Sequence, residues 1–143
     1  MQRNQLLPVF RASEPVTGRA TSAVVNEGLF VKVSGDKTTD GAYPIVHCTA
    51  GDACFGVSEN NSADPSTEDA HSWRLDVAVN RDGSVVRMKP GATLSHGDLV
   101  TSDANGKAVA ATSGDNINGE VMSGAASTDA SVEIRLFNGG VAA

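Results

Sequence analysis

The sequence predicts an all-β fold, a compact β-barrel or sandwich of about ten short strands carrying at most one short helical turn. Three observations lead there. The chain has 143 residues, 15 of them glycine, which suits one domain with many turns. Its apolar residues fall in short runs that alternate in polarity or are rich in Val and Ile, and no helical period is sustained. Aromatic side chains are scarce, with one Trp, one Tyr and four Phe, so the core has to be built from Val, Leu, Ile and Ala. Such a core is thin for the length, which points to additional burial against a partner.

In chain order, residues 1–18 contain Pro8, Pro15 and the apolar cluster Leu6-Leu7-Pro8-Val9-Phe10. Proline fixes φ and removes a donor, so this stretch reads as an extended N-terminal arm, ahead of a single β domain over residues 19–143. A weak first strand is expected at 19–25, ended by Asn26-Glu27-Gly28. Strands follow at 29–33, at 45–48 after Pro44 (a residue confined to strand starts and edges), and at 55–58. Residues 59–72 form a polar, exposed insertion in which Asp64-Pro65 reads as a helix start and 66–70 as one helical turn. Trp73-Arg74-Leu75-Asp76-Val77-Ala78-Val79 alternates, placing Trp73, Leu75, Val77 and Val79 inward and Arg74 and Asp76 outward. Asn80-Arg81-Asp82-Gly83 then turns the chain, and 84–88 returns as the second arm of a hairpin.

After the Pro90-Gly91 break, Gly97-Asp98 leads into Leu99-Val100, and Asn105-Gly106 makes a hairpin turn to 108–111. Asn-Gly is favoured there because a tight hairpin turn needs positive φ at its centre. Gly114-Asp115, Asn118-Gly119 and Val121-Met122 continue the pattern. The last strand sets Val132, Ile134 and Leu136 on one face against Glu133 and Arg135 on the other, and Asn138-Gly139-Gly140 closes the fold before 141–143 trail off. The first half follows the same plan. Gly28-Leu29-Phe30-Val31 corresponds to Gly97-Asp98-Leu99-Val100, Gly51-Asp52 to Gly114-Asp115, 55–58 to 119–123, and 73–79 to 131–137. The fold is therefore read as a degenerate twofold repeat of about 40 to 50 residues.

The formal net charge is −6, which excludes a protein built mainly to grip nucleic acid. The charge is uneven: residues 1–20 carry +2 through Arg3, Arg11 and Arg19 against Glu14, leaving −8 elsewhere. A basic arm on an acidic body suits docking on another surface. Residues 1–13 lack the apolar core of a signal peptide, and no stretch is long enough to span a membrane. Cys48 and Cys54 read as free, buried thiols of a reducing compartment, with a disulfide across the intervening turn geometrically open to them.

His47, His71 and His96 are scattered, and His47 and Cys48, adjacent on a strand, point to opposite faces. No metal site or cofactor is expected. Neither thiol has a flanking base or a following helix to activate it as a nucleophile. Glu68-Asp69 lies in a solvated loop, and Gly139-Gly140 lacks the Lys-Ser/Thr of a phosphate loop. The reading is of a protein that is not an enzyme.

The order of motifs resembles a family of small proteins of tailed phages and prophages, associated with capsid decoration (head stabilisation). The resemblance runs from Gly28-Leu29-Phe30-Val31-Lys32-Val33 through Gly51-Asp52-Ala53-Cys54-Phe55-Gly56-Val57, then Gly97-Asp98-Leu99-Val100 and Gly106-Lys107-Ala108-Val109, to the closing alternating strand. It covers residues 8–137; the insertion at 60–71 is longer than the family pattern. The resemblance implies a β-rich virion protein on the outer surface of the expanded icosahedral head, a homo-oligomer (a trimer favoured over a dimer) whose partner is the major capsid protein. In that setting the arm is the expected contact, with Leu6, Leu7, Val9 and Phe10 as apolar anchors and Arg3, Arg11 and Arg19 facing acidic patches. The competing expectation is a phage-surface module touching host glycans through Trp73 or Tyr43.

Overall fold

In the computed structural model, which describes residues 8–143, ten strands form two five-stranded units in chain order. The first comprises β1 (Val16–Ala20), β2 (Phe30–Val33), β3 (Tyr43–His47), β4 (Gly56–Ser58) and β5 (Asp76–Asn80), closed into a barrel in the order β1-β3-β2-β4-β5. The second comprises β6 (Val85–Met88), β7 (Leu99–Ser102), β8 (Ala108–Ala110), β9 (Gly119–Ser123) and β10 (Val132–Leu136), in the order β6-β10-β9-β7-β8. The all-β class, the strand number and the barrel agree with the sequence reading.

The repeat has a structural counterpart. The runs β3-β2-β4-β5 and β8-β7-β9-β10 have the same order, and every pair within them is antiparallel. β1 pairs antiparallel with β5 and parallel with β3. β6 likewise pairs antiparallel with β10, and just beyond its end Pro90 makes a parallel bridge to Ala108 at the start of β8. The second unit thus follows the topology of the first, with its last seam reduced to the bonds Gly91 N–H to Ala108 C=O and Ala108 N–H to Lys89 C=O.

Corresponding glycines explain how closely the strands approach. A Cβ on Gly56 would lie 2.2 Å from the Asn80 carbonyl oxygen on β5, and one on Gly119 would lie 2.5 Å from that of Arg135 on β10. Acidic turns recur as well. At Asp52, Asp98, Asp115 and Asp129 the carboxylate accepts the N–H of the residue three positions earlier, at 2.8–2.9 Å, while the aspartate N–H returns to that residue's carbonyl. Each turn therefore satisfies its own backbone groups locally.

Two clusters make the core. Ala20, Val25, Val31, Ile45, Val77 and Val79 fill the first barrel. The larger cluster fills the second unit but takes in Phe30, Cys48 and Val57 from the first. On β2, Val31 faces its own barrel and Phe30 faces the other unit, so the start of the strand is buried on both sides and Leu29-Phe30-Val31 reads as a short apolar run before Lys32. The Asn105-Gly106 hairpin between β7 and β8 docks here, its Gly106 carbonyl accepting the Phe30 N–H at 2.8 Å. A second tie comes from Asn118, whose amide takes the Cys54 N–H and donates to the Asp52 carbonyl.

Several expectations are corrected. The first strand lies at Val16–Ala20 rather than 19–25, so residues 16–18 belong to β1. β5 and β6 are not a hairpin; the turn at 80–83 carries the chain from one unit to the other, and β6 finds its partner in β10. Trp73 is 68% exposed, not inward, because residues 73–75 form a 3-10 turn capped by Ser72 and strand alternation begins only at Asp76. That turn is the helical element; around Asp64-Pro65 there is an isolated turn, Thr67 N–H to Asp64 C=O, since no apolar face prolongs it. Glu59 and Ser62, placed in the exposed insertion, are buried. The C-terminal residues do not trail off, because Val141 bridges Asn116 and Ala142 bonds Asp115 and Gly114.

Gly56→Ala and Gly119→Ala are each expected to lower unfolding free energy by roughly 1–3 kcal/mol through overpacking against backbone, read by chemical denaturation. Gly35→Ala, whose added Cβ meets only Pro44 Cγ at 3.8 Å, should be near neutral. Asp52 supplies a pH test. Lys32, then the Thr49 N–H and hydroxyl, hold its carboxyl down at about 2, below the usual carboxylate range. A depressed carboxylate contributes stability that is complete above its ordinary value and is lost as pH falls through the folded one. Stability should therefore drop between about pH 4 and about pH 2, and Asp52→Asn should flatten that part of the curve.

Candidate docking surface

The arm meets the body along the start of β6. Phe10 and Val85 form an antiparallel bridge, with Val85 N–H donating to the Phe10 carbonyl at 2.8 Å and the N–H groups of Val9 and Phe10 converging on the Val85 carbonyl. The Ala12 N–H donates to Ser84 Oγ at 3.1 Å. Arg11 crosses to the first barrel, where its guanidinium pairs with the carboxylate of Glu59, itself only 5% exposed. Removing that partner would leave a buried carboxylate without its countercharge, which makes Arg11 the strongest pin on the arm.

All of these contacts are polar or backbone contacts, and the apolar side chains of the arm are left outside. Val9 is 47% and Phe10 58% exposed. Two adjacent apolar side chains, Val9 and Phe10, are thus presented to water by a hydrogen-bonded backbone. The contact residues expected from the sequence therefore separate into different places. Val9 and Phe10 are presented outward, and Arg11 faces Glu59. Arg19 is buried on β1, bonded through Nε to Asp76 at 2.7 Å and through Nη1 to Asp40 at 2.5 Å. Those two carboxylates raise its pKa, and the guanidinium ties β1 to β5 and to the 38–42 turn. Arg3, Leu6 and Leu7 lie outside the described residues.

The reactive side chains are spent elsewhere. Cys48 is fully buried, and Cys54 packs half-buried on the same cluster; both are free thiols. The neighbouring Cys48 thiol and burial push the Cys54 thiol well up, which disfavours a nucleophilic thiolate. His47 accepts the Asn26 N–H, His96 contacts the Met122 carbonyl and His71 lies 3.6 Å from Asp40. Among the described residues no group of three or more His, Cys, Asp or Glu converges on a metal position, and no helix is long and apolar enough to cross a membrane. Tyr43 is half-buried against Phe55 and Lys37, whereas Trp73 stands free with Arg74 beside its ring.

No protein-family model matches the chain, and no curated protein matches it in sequence. Among solved structures, the N base of head fiber gp8.5 in bacteriophage phi29 superposes with a TM-score of 0.65, over 89% of this chain and 96% of that one. The two share a fold. Sequence identity is 17%, so the likeness is one of architecture.

The Glu59 socket had no signature in the sequence, because its partner lies 48 residues away with four strands between them. Arg11→Ala is expected to loosen the arm from the Val85 edge. Chymotryptic cleavage after Phe10 should then be faster than in the wild type, and the body should melt at a lower temperature because Glu59 is left buried without its countercharge.

Proposed function

We propose that this chain is a structural protein of a phage head, bound to the outer surface of the expanded shell and stabilising it against the pressure of packaged DNA. The observation that carries the reading is the near full-length likeness of fold to a phage head fiber base. The outward Val9 and Phe10 on a pinned arm, and the commitment of thiols and histidines to structural contacts, support it. In this reading the major capsid protein is the partner, and Val9 and Phe10 insert into its surface. A protein that binds only the expanded lattice stabilises that state by mass action. As a trimer over a point where capsomers meet, it would gain effective concentration from each further contact, so single-site affinity can be modest. Exposed Trp73 favours a second reading, contact with host glycans by ring stacking.

The test mixes purified protein with undecorated shells in unexpanded and expanded form and follows which pellet retains it. Retention on expanded shells alone is expected. The double variant Val9→Asp with Phe10→Asp should lose retention while keeping its fold, since both side chains are already solvated. Trp73→Ala should bind shells like wild type. Equal retention of the double variant would remove the arm as the contact, and no retention of the wild type would remove the reading.

A further inference from the structure

Between the two units lies a small cleft, beside the Asn118–Cys54 tie, whose Arg81 side chain takes no part in the contacts above. Its floor is apolar, formed by Phe30, Cys54 and Leu136, and its rim is polar, formed by Arg81, Asp82 and Asn138. Arg81 stands on the turn that carries the chain from β5 to β6. Its guanidinium lies over the Phe55 ring, 3.9 Å from the centroid. Its Nε is buried and has no hydrogen-bond acceptor, and no carboxylate stands within ion-pair distance of it among the described residues. By contrast Arg11, Arg19, Arg74 and Arg135 all have acidic partners. Asn138 accepts the Gly140 N–H through its amide oxygen, which leaves its amide nitrogen as a further donor on the rim.

We propose that this cleft is a carboxylate-binding site, with Arg81 as the residue that reads the ligand. A guanidinium is a planar fork of N–H donors that matches the two oxygens of a carboxylate. Stacking on Phe55 fixes the plane of that fork before any ligand arrives, so little side-chain entropy remains to be lost on binding. The guanidinium has no carboxylate partner among the described residues, so it gains one only in the bound state. The planar fork, pairing two N–H donors with two coplanar oxygens, fits a carboxylate, and Asp82 on the rim weakens the site for any anion. The small volume of the cleft admits the tip of an acid, either a free small carboxylate or the Asp or Glu side chain of a docked protein. The inference does not depend on the head-binding reading.

The test is a titration of isotope-labelled protein with sodium acetate against sodium chloride at matched ionic strength, following the Arg81 Nε–H, the Asn138 side-chain amide and the backbone amides of 81–83. Acetate should move these signals saturably and chloride should not. Arg81→Lys keeps the charge but loses the stacked fork, and should bind about tenfold more weakly. Asp82→Asn, an exposed change that leaves the fold untouched, should bind more tightly. Shifts no different from those of chloride, wild-type affinity in R81K, or no tightening in D82N would each overturn the proposal. With acetate binding established, weaker retention of R81K on expanded shells assigns the carboxylate to an acidic side chain of the docked protein, and unchanged retention assigns it to a free small carboxylate.

Discussion

Phe30 and Val57 project out of the first barrel into the core of the second unit, while Val31, their neighbour on β2, fills the barrel itself. That two-sided burial makes one body of two small β units, neither of which has many large side chains to offer. Aromatic residues are too few to give each unit a core of its own, so the units pool what they have across a common wall. The Asn105-Gly106 hairpin and the Asn118 amide, both at that wall, provide the polar ties that set its register.

The acidic balance has a local origin. Asp52, Asp98, Asp115 and Asp129 spend their carboxylates on the N–H groups of their own turns, and Asp103 does the same for Asn105 and Lys107. Asp40 and Asp76 are taken by Arg19. Much of the negative charge is therefore a by-product of building many tight turns with side-chain acceptors, and says little about the sign of a partner's surface.

What was legible in the sequence was whatever is encoded within a few residues. The Gly-Asp turns, the Asn-Gly hairpin and the alternation of Val132, Ile134 and Leu136 each carry their geometry locally, and matching them across the chain exposed the repeat. Pairing between distant strands was not legible. β5 and β6 flank a good turn and read as a hairpin, yet β6 gains more by adding to β10, where Val86 and Ile134 are cross-strand partners in the second core. Trp73 misled because period two extended one residue pair too far, into a stretch where the Ser72 side chain caps a 3-10 turn. The anchoring of residues 9–12 was not legible, since Glu59, Ser84 and Val85 come from separate places in the chain.

The edges of the second unit are short and occupied. β8 has three residues, and Pro90, which has no N–H to offer, runs beside its first. On the other flank the arm covers Val85, and the Lys89 N–H is taken by the Gly28 carbonyl. The first barrel has no edge, because it is closed. Strand-to-strand zippering between copies therefore finds almost no template on these flanks, where an open β-sheet would offer one along its whole length.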